Sequence, residues 1–281
     1  MKRHEFRAMG STIELVIETD NTPSAVAAFT RAEAEFERLE QIMSRFRPTS
    51  ELSELNRRGE IEATQELAEV VATAVAAREW SKGRFDPTVH DALIAAGYDR
   101  TFDDVVDDDT SPAGVPRACG GGVHLDGRHI ELDPGVRIDL GGIGKGFAAE
   151  RVAAQLALVG PSLVSAGGDV AIRGVPADGS WPIAVDSTLT LGLTRGGLAT
   201  SGRDRRRWRH AGVEQHHLID PSTGLPSRTD LVRVTAVAAD TVEAEVLAKT
   251  LFLAGSAEAV AADRPAVLVT EEGRTLTTGG L

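Results

Sequence analysis

The chain contains a single cysteine, Cys119, so it can form no disulfide within itself and no cysteine-rich metal site. We therefore expect Cys119 to be an inert thiol in a loop. No apolar run approaches the roughly 20 residues that a membrane-spanning helix needs, and residues 1–10 lack the apolar stretch of a signal peptide. These absences predict a cytoplasmic protein without a membrane span.

Basic residues are fewer than acidic ones: the chain has 30 Lys and Arg against 42 Asp and Glu, which gives a formal net charge of -12. Such a balance argues against general binding to nucleic acids or anionic membranes. The one dense basic segment, 203–209, contains Trp208 and leaves three interpretations open: RNA contact, a solvated loop, or a local positive field for an anionic ligand. The overall charge favours the last two.

Apolar spacing predicts helices and strands without a regular βαβ rhythm, and therefore an α+β fold with mixed or antiparallel sheets rather than a doubly wound sheet. Helices are predicted over 22–44 (capped by Thr22), 50–56, 64–80, 87–96, 147–159 and 240–254 (started by a capping box of Asp240 and Glu243). Strands are predicted over 11–19, 123–132, 162–165, 170–174, 181–186, 189–194, 232–239 and 266–270. The acidic segment 99–122 lacks EF-hand spacing, and we expect a flexible connection there.

The glycine-rich segment 138–146 directly precedes a predicted helix. Glycines let the backbone approach a ligand closely, and the free N–H groups and dipole of a helix start attract phosphate. Lys145 adds a mobile charge and Asp139 an acceptor, so the segment predicts an anionic cofactor. It is not a Walker A motif, it matches a dinucleotide fingerprint only weakly, and a tight turn without ligand is the alternative.

Three further segments carry candidate site residues. His217 precedes a turn-forming run and is interpreted as a general base, a phosphate or flavin contact, or a structural residue. The run Arg84, Phe85 and Asp86 stands at a helix start, where Asp86 is a plausible N-cap. Asp169, after Gly167 and Gly168, is either a polar site residue or a turn former.

Taken together, these segments resemble the ApbE family, the FAD:protein FMN transferases. The resemblance spans nearly the whole chain in the family's order, through segments 8–12, 43–56, 83–88, 138–146, 167–169, 200–202 and 217–224. It implies one domain over 1–281 with a two-lobed, T-fold-like architecture. It also implies transfer of the FMN half of FAD to a Thr or Ser hydroxyl of an acceptor protein, with release of AMP.

The resemblance also assigns site residues. His217 and Lys145 are the predicted catalytic residues, and the predicted FAD contacts are Met9, Phe46, Arg84, Phe85, Asp86, Asp139, Lys145, Gly167, Gly168, Asp169, Leu218 and Ile219. Asp139 and Lys145 are expected near the adenosine and diphosphate. His217 is expected near the acceptor hydroxyl.

The resemblance further implies magnesium, bound by a carbonyl near Gly142 and by an Asp and a Thr four positions apart on a late helix. This chain has Glu245 and Lys249 at those two positions. A protonated lysine cannot ligate a metal. We therefore expect either that Lys249 pairs with Glu245 or reaches the FAD phosphates in place of the ion, or that the protein is a flavin binder with lost or only hydrolytic activity.

Overall fold

The structure is organised around an eight-stranded antiparallel sheet. A computed structural model of the chain describes residues 1–112 and 114–281. The strands are β1 (Lys2–Ala8), β2 (Ser11–Ile17), β3 (Glu60–Glu62), β4 (Val123–Asp126), β5 (His129–Leu132), β6 (Ser162–Ala166), β7 (Asp169–Arg173), β8 (Trp181–Ala184), β9 (Thr190–Leu193), β10 (Gly196–Gly202), β11 (Arg207–His210), β12 (Val213–His216), β13 (Ile219–Asp220), β14 (Leu225–Pro226), β15 (Leu231–Ala238), β16 (Ala266–Thr270) and β17 (Thr275–Thr278). The central sheet has the order β1-β2-β6-β7-β10-β15-β16-β17, while β3-β5-β4 form a small separate sheet.

Seven α-helices accompany the strands in the described part of the chain. They are α1 (Thr22–Met43), α2 (Glu51–Arg58), α3 (Gln65–Trp80), α4 (His90–Ala95), α5 (Gly144–Leu156), α6 (Thr241–Ala254) and α7 (Ser256–Ala261). No helix of residues 1–112 and 114–281 is long and apolar enough to cross a membrane. The predicted α+β class with antiparallel sheets is confirmed. The cytoplasmic location stays a prediction.

The main core lies between one face of the central sheet and the helices α1 and α5. Inward side chains of β2, such as Ile13 and Leu15, meet Phe36 of α1 and Ala148 of α5, and all four are fully buried. On the opposite face, Trp181 of the β8–β9 hairpin packs against the sheet. Helix α6 packs on β10 and β15. The sheet thereby holds the starts of α5 and α6 side by side.

Two tight turns lie at one end of the strands, near the start of α5. Met9 and Gly10 join β1 to β2, and both have positive φ, 49° and 62°. Gly167 and Gly168 join β6 to β7 with φ of 66° and 104°. Two-residue hairpins of this kind match the twist of the strands and favour glycine. A side chain on Gly167 would also meet the Ser11 Oγ at 2.6 Å, so this position requires glycine.

Several predicted boundaries are wrong in instructive ways. The glycine-rich segment 138–146, called the glycine loop below, runs into α5. This helix begins at Gly144 rather than at the predicted residue 147, so Lys145 lies in its first turn. The cap of α1 is Asn21, whose side chain accepts the Ser24 N–H at 3.0 Å, and not Thr22. The predicted strand 123–132 is the hairpin β4–β5, because Gly127 turns with positive φ.

The remaining helix predictions differ less. Segment 87–96 is a 3₁₀ turn, Pro87–Val89, followed by α4, and Asp86 caps it as predicted by accepting the Thr88 N–H at 2.8 Å. Helix α6 begins after Asp240, whose side chain accepts the Glu243 N–H at 2.8 Å, as the capping box predicts.

The acidic segment 99–122 contains contacts to β11. The Asp108 N–H donates to the Arg209 carbonyl at 2.9 Å, and the Arg209 N–H donates to Asp107 Oδ1 at 2.8 Å. Ala113 of this segment lies outside the described residues. The flexibility of the segment as a whole stays a prediction.

The contact between α5 and α6 can be tested at two glycines in the first turn of α5. A Cβ on Gly146 would lie 2.9 Å from Glu245 Oε2 and 3.0 Å from the Thr241 carbonyl oxygen, whereas on Gly144 its nearest neighbour would be Met43 Sδ at 3.7 Å. We expect Gly146→Ala to lower the free energy of unfolding by about 1–3 kcal/mol, because overpacking separates the helices. Urea unfolding followed by circular dichroism measures this change.

Gly144→Ala is the matched control. Alanine fits there and improves helix propensity, so its free energy of unfolding should stay within about 1 kcal/mol of wild type. Equal losses in both variants would show that the α5–α6 contact is not the tight point of the fold.

Candidate active site

One cavity gathers most of the predicted site residues from segments far apart in sequence. The predicted residues in its wall are Met9, Phe46, Arg84, Phe85, Asp86, Asp139, Gly142, Lys145, His217, Ile219 and Lys249. The ends of β1 and α1, the loop before α4, the glycine loop, β13 and α6 all contribute to this wall. The cavity therefore lies where these segments, distant in sequence, come together.

The other predicted residues lie behind the wall. Asp169 and Glu245 are buried beneath Lys145, and Gly167 and Gly168 form the turn that places Asp169 there. Leu218 is buried in the core beside α6 and β15 rather than in the cavity wall. The adjacent Ile219 does line the cavity. The roles assigned to these residues as ligand contacts stay predictions.

A buried ion cluster is centred on Lys145. The Lys145 Nζ lies 2.5 Å from Asp169 Oδ2 and 2.7 Å from Glu245 Oε1, and all three side chains are mostly buried. Burial alone would lower the pKa of Lys145, but the charges of Asp169 and Glu245 outweigh it and raise the pKa above its usual value. Lys145 therefore stays protonated, and its charge is already paired with two carboxylates.

The start of α5 is also occupied by a protein anion. Glu245 Oε2 accepts the Gly146 N–H at 3.0 Å. A carboxylate at a helix N-terminus satisfies a free N–H and interacts favourably with the helix dipole. The sequence predicts that this helix start and Lys145 together hold a phosphate. Instead, Glu245 takes one N–H of the turn and shares Lys145 with Asp169.

Lys249 lies one helical turn after Glu245, and its ammonium reaches the glycine loop. A Cβ built on Gly142 would lie only 2.0 Å from Lys249 Nζ, and Nζ lies 5.5 Å from the centre of the Phe85 ring. Burial lowers the pKa of Lys249, opposed by the negative charge of Glu245. The predicted Lys249–Glu245 pair is not formed, because Glu245 pairs with Lys145.

The magnesium ligand set implied by the sequence does not fit this geometry. Both carboxylate oxygens of Glu245 are engaged, by Lys145 and by the Gly146 N–H, and an ammonium faces Gly142. Within 1–112 and 114–281, no group of three His, Cys, Asp or Glu side chains could hold a metal ion. Magnesium needs several oxygen ligands in a near-octahedral arrangement.

Arg45 was missed among the site residues and also lines the cavity. Its Nε lies 2.7 Å from Asp139 Oδ2, and its guanidinium carbon lies 4.1 Å from the ring centre of Phe46 and 4.7 Å from that of Tyr98. The buried Arg45 Nη2 has no hydrogen-bond partner among the described residues. Arg45 follows the helix α1 within a predicted motif, and only the side chains packed round it mark it as a site residue.

His217 presents a buried, unpartnered nitrogen. Its Nδ1 has no hydrogen-bond partner within the described ranges. Burial lowers the pKa of His217 well below 6.5, and the positive charges of Arg206 and Lys249 lower it further. At neutral pH the imidazole is therefore uncharged and able to accept a proton. The interpretation as a general base stays a prediction that this environment favours.

The basic segment 203–209 does not form a continuous basic surface. Trp208 is buried and donates from Nε1 to the Ala96 carbonyl at 2.7 Å, and Arg209 pairs with Asp109 at 3.2 Å. Arg206 lines the cavity and donates to Ser11 Oγ at 3.3 Å. Of the three interpretations, the field for an anionic ligand fits Arg206. Burial raises the pKa of Cys119 to about 11, as expected for an unreactive thiol.

Asp86 and Arg84 are held by the protein itself. Asp86 Oδ2 lies 3.1 Å from Arg78 Nε, while its Oδ1 caps the following turn. Arg84 reaches Glu258 at 2.6 Å on the rim of the cavity. Helix capping thus explains Asp86 without a ligand, although its side chain borders the cavity.

The fold and the site define an α+β protein with a largely apolar cavity that carries several cationic side chains beside a glycine loop. Comparison with known proteins then gives its family. The model of the ApbE family matches residues 9–267. The chain therefore belongs to the ApbE family.

Individual relatives agree with this assignment. The chain is 30% identical to the FAD:protein FMN transferase of Vibrio cholerae over 273 residues, which cover 90% of this chain and 81% of that protein. It is 26% identical to the FAD:protein FMN transferase of Haemophilus influenzae over 284 residues, with the same coverage of 90% and 81%. The crystal structure of the ApbE protein of Thermotoga maritima superposes with a TM-score of 0.85 at 25% identity and covers 99% of this chain and 97% of that one.

Removing the ammonium of Lys145 tests the ion cluster. Lys145→Met leaves Asp169 and Glu245 buried without a counter-charge, so we expect a loss of about 3–5 kcal/mol in the free energy of unfolding near neutral pH. The loss should shrink towards about pH 5. The two crowded carboxylates of the folded variant bind a proton more tightly than the same groups in the unfolded chain, so acid favours the folded state. Urea unfolding at both pH values measures this.

The control is Lys2→Met, on the partly exposed edge strand β1. It should change the free energy of unfolding by less than about 0.5 kcal/mol at either pH. A loss in Lys145→Met that does not depend on pH would mean that the two carboxylates do not share a proton once the ammonium is gone.

Proposed function

We propose that this protein is an FAD:protein FMN transferase. The observation that carries the proposal is its membership of the ApbE family over residues 9–267, with most of the predicted site residues in the wall of one cavity. The curated relatives from Vibrio cholerae and Haemophilus influenzae bear this name. The substrates would be FAD and an acceptor protein that presents a Thr or Ser hydroxyl.

The proposed reaction transfers the FMN phosphoryl group from FAD to the acceptor hydroxyl. The acceptor hydroxyl oxygen attacks the phosphorus on the FMN side of the diphosphate. The bond from that phosphorus to the bridging oxygen breaks, and the bridging oxygen leaves on AMP. Positioning and charge neutralisation supply most of the catalysis in such a transfer, and the hydroxyl proton passes to a base.

His217 is suited to be that base. It is neutral near pH 7, and its Nδ1 is unpartnered within the described residues. In the same cavity, Met9, Phe46 and Phe85 offer apolar surface for the flavin ring, and Arg45 offers an unpartnered donor among the described residues. Lys145 would act through the glycine loop, because Asp169 and Glu245 hold its ammonium. It would then be a positioning residue.

Replacement of the proposed base tests the transfer. His217→Asn should lower the rate of acceptor flavinylation by about 100- to 10,000-fold, since a general base contributes that much. FAD affinity should change little. The measurements are AMP release with FAD and an acceptor peptide, the mass of the peptide, and FAD binding by flavin fluorescence.

His129→Asn, on the separate β3-β5-β4 sheet, serves as the matched control and should retain the wild-type rate. Absence of AMP from wild-type protein with any acceptor tried would contradict the proposed function and favour the flavin-binding alternative. Wild-type rates in His217→Asn would remove His217 from the mechanism.

The pH dependence follows from the lowered pKa of His217. Since its ordinary value is 6.5 and burial moves it well below that, the imidazole stays neutral and active down to the weakly acidic range. We expect kcat/KM for FAD, which reports groups of the free enzyme, to be flat from about pH 8 to about pH 6.5 and to fall only below that. A fall between about pH 8 and pH 7, with circular dichroism unchanged, would contradict this assignment.

A further inference from the structure

Lysine is rare in this chain, yet two lysines lie at the glycine loop. Lys145 rises from the first turn of α5, and Lys249 reaches in from α6. The Lys249 Nζ lies against Gly142, 2.0 Å from where a Cβ on that residue would be. Only glycine allows the ammonium to approach the loop backbone so closely.

The charges of the two lysines are used differently. Lys145 is paired with Asp169 and Glu245 at 2.5 and 2.7 Å. Lys249 has no carboxylate within 4.0 Å of Nζ in the described part of the chain, and the nearby Asp139 is paired with Arg45 at 2.7 Å. An ammonium that is half-buried without an anion is costly unless a ligand supplies the negative charge. Lys249 is therefore the lysine left for a ligand.

No divalent ion can be assigned to the same place. The glycine loop and α6 supply Glu245, whose two oxygens are bound, and an ammonium that repels cations. A diphosphate beside Gly142 still requires neutralisation, because the leaving phosphate gains negative charge as the P–O bond breaks. The only charge of the right sign that points there from α6 is on Lys249.

We propose that the Lys249 ammonium neutralises the bound diphosphate in place of a divalent metal ion, so that FAD binding and AMP release do not require Mg²⁺. The identity of the ligand rests on the proposed function. The charge replacement itself rests on the position of Lys249 against Gly142 and on the engagement of Glu245.

The first experiment measures metal dependence in wild-type protein. FAD is titrated by flavin fluorescence in EDTA and in Mg²⁺, and the dissociation constants should agree within about twofold, since no ion takes part. Mn²⁺ serves as a paramagnetic probe, and its free EPR signal should not decrease when protein is added to Mn²⁺ and FAD beyond the decrease caused by FAD alone. FAD binding that needs Mg²⁺, or protein-dependent loss of the Mn²⁺ signal, would overturn the proposal.

Variants at Lys249 then separate charge from packing. Lys249→Met keeps the length of the side chain and loses the charge, so FAD affinity in EDTA should fall by about 10- to 100-fold, the worth of one charged hydrogen bond. Lys249→Arg should retain most of the affinity. Lys2→Met, which removes a lysine charge outside the cavity, is the control and should bind FAD as wild type does.

A double variant tests the opposite direction. Glu245→Asp with Lys249→Thr removes the ammonium and supplies short oxygen side chains, and its FAD binding should become dependent on Mg²⁺ and should reduce the free Mn²⁺ signal. Circular dichroism checks that each variant folds. Wild-type FAD affinity in Lys249→Met would overturn the proposal.

Measurements of FAD binding and of AMP release separate the charge replacement from the transferase function. If wild-type protein releases no AMP but binds FAD without metal and through Lys249, the proposed transferase function fails while the charge replacement stands. If AMP release occurs but is abolished by EDTA and restored by Mg²⁺, the charge replacement fails and the transferase function stands.

Discussion

The buried contact of Lys145 with Asp169 and Glu245 is the interaction on which the rest of the site depends. It joins α5 to the turn between β6 and β7 and to α6, three elements brought together by the central sheet. Two buried carboxylates and one ammonium tolerate little displacement, because each unpaired charge in the interior costs several kcal/mol. The start of α5, and with it the glycine loop, is therefore fixed in place before any ligand arrives.

In this arrangement the start of α5 supplies little of the positive charge available to a ligand in the cavity. Glu245 already accepts the Gly146 N–H, so the dipole of α5 is partly satisfied within the protein. The positive groups that remain available come from Lys249 on α6, Arg206 and the unpartnered Nη2 of Arg45 in the described chain. The glycine loop supplies shape and close approach, while neighbouring elements supply the charge.

The sequence predicts the local elements better than the contacts between them. Strand β16, the bounds of α3 and the cap of α6 follow the patterns closely, since residue spacing and capping are local properties. Strand β10 was missed because glycines are poor strand formers. They are needed there, since a Cβ on Gly197 would lie 2.2 Å from the Thr241 nitrogen where α6 crosses the sheet. Strand β1 was missed because its polar residues lie on an edge.

The candidate site shows the same division. Family motifs predict the residues of the cavity wall, but not which of them are already paired. Lys145 precedes Asp169 by 24 positions and Glu245 by 100, so no local pattern reveals that both carboxylates meet its ammonium. Arg45 was missed for the same reason, since its partner Asp139 belongs to another segment.

A tethered ammonium and a divalent ion solve the same electrostatic problem at different stages. A metal ion loses part of its hydration shell when the ligand binds, whereas the desolvation of Lys249 is a cost of folding. In the described part of the chain the Lys249 ammonium has no carboxylate within 4.0 Å, and a bound diphosphate would offset that desolvation cost. An ammonium carries half the charge of Mg²⁺, so negative charge remains for other donors. Arg206 lines the same cavity, and Arg45, although paired with Asp139 through Nε, has an unpartnered Nη2 among the described residues. Because Lys145 and the Gly146 N–H engage both oxygens of Glu245, the amine on α6, where the family resemblance implies a hydroxyl, is the group that faces Gly142.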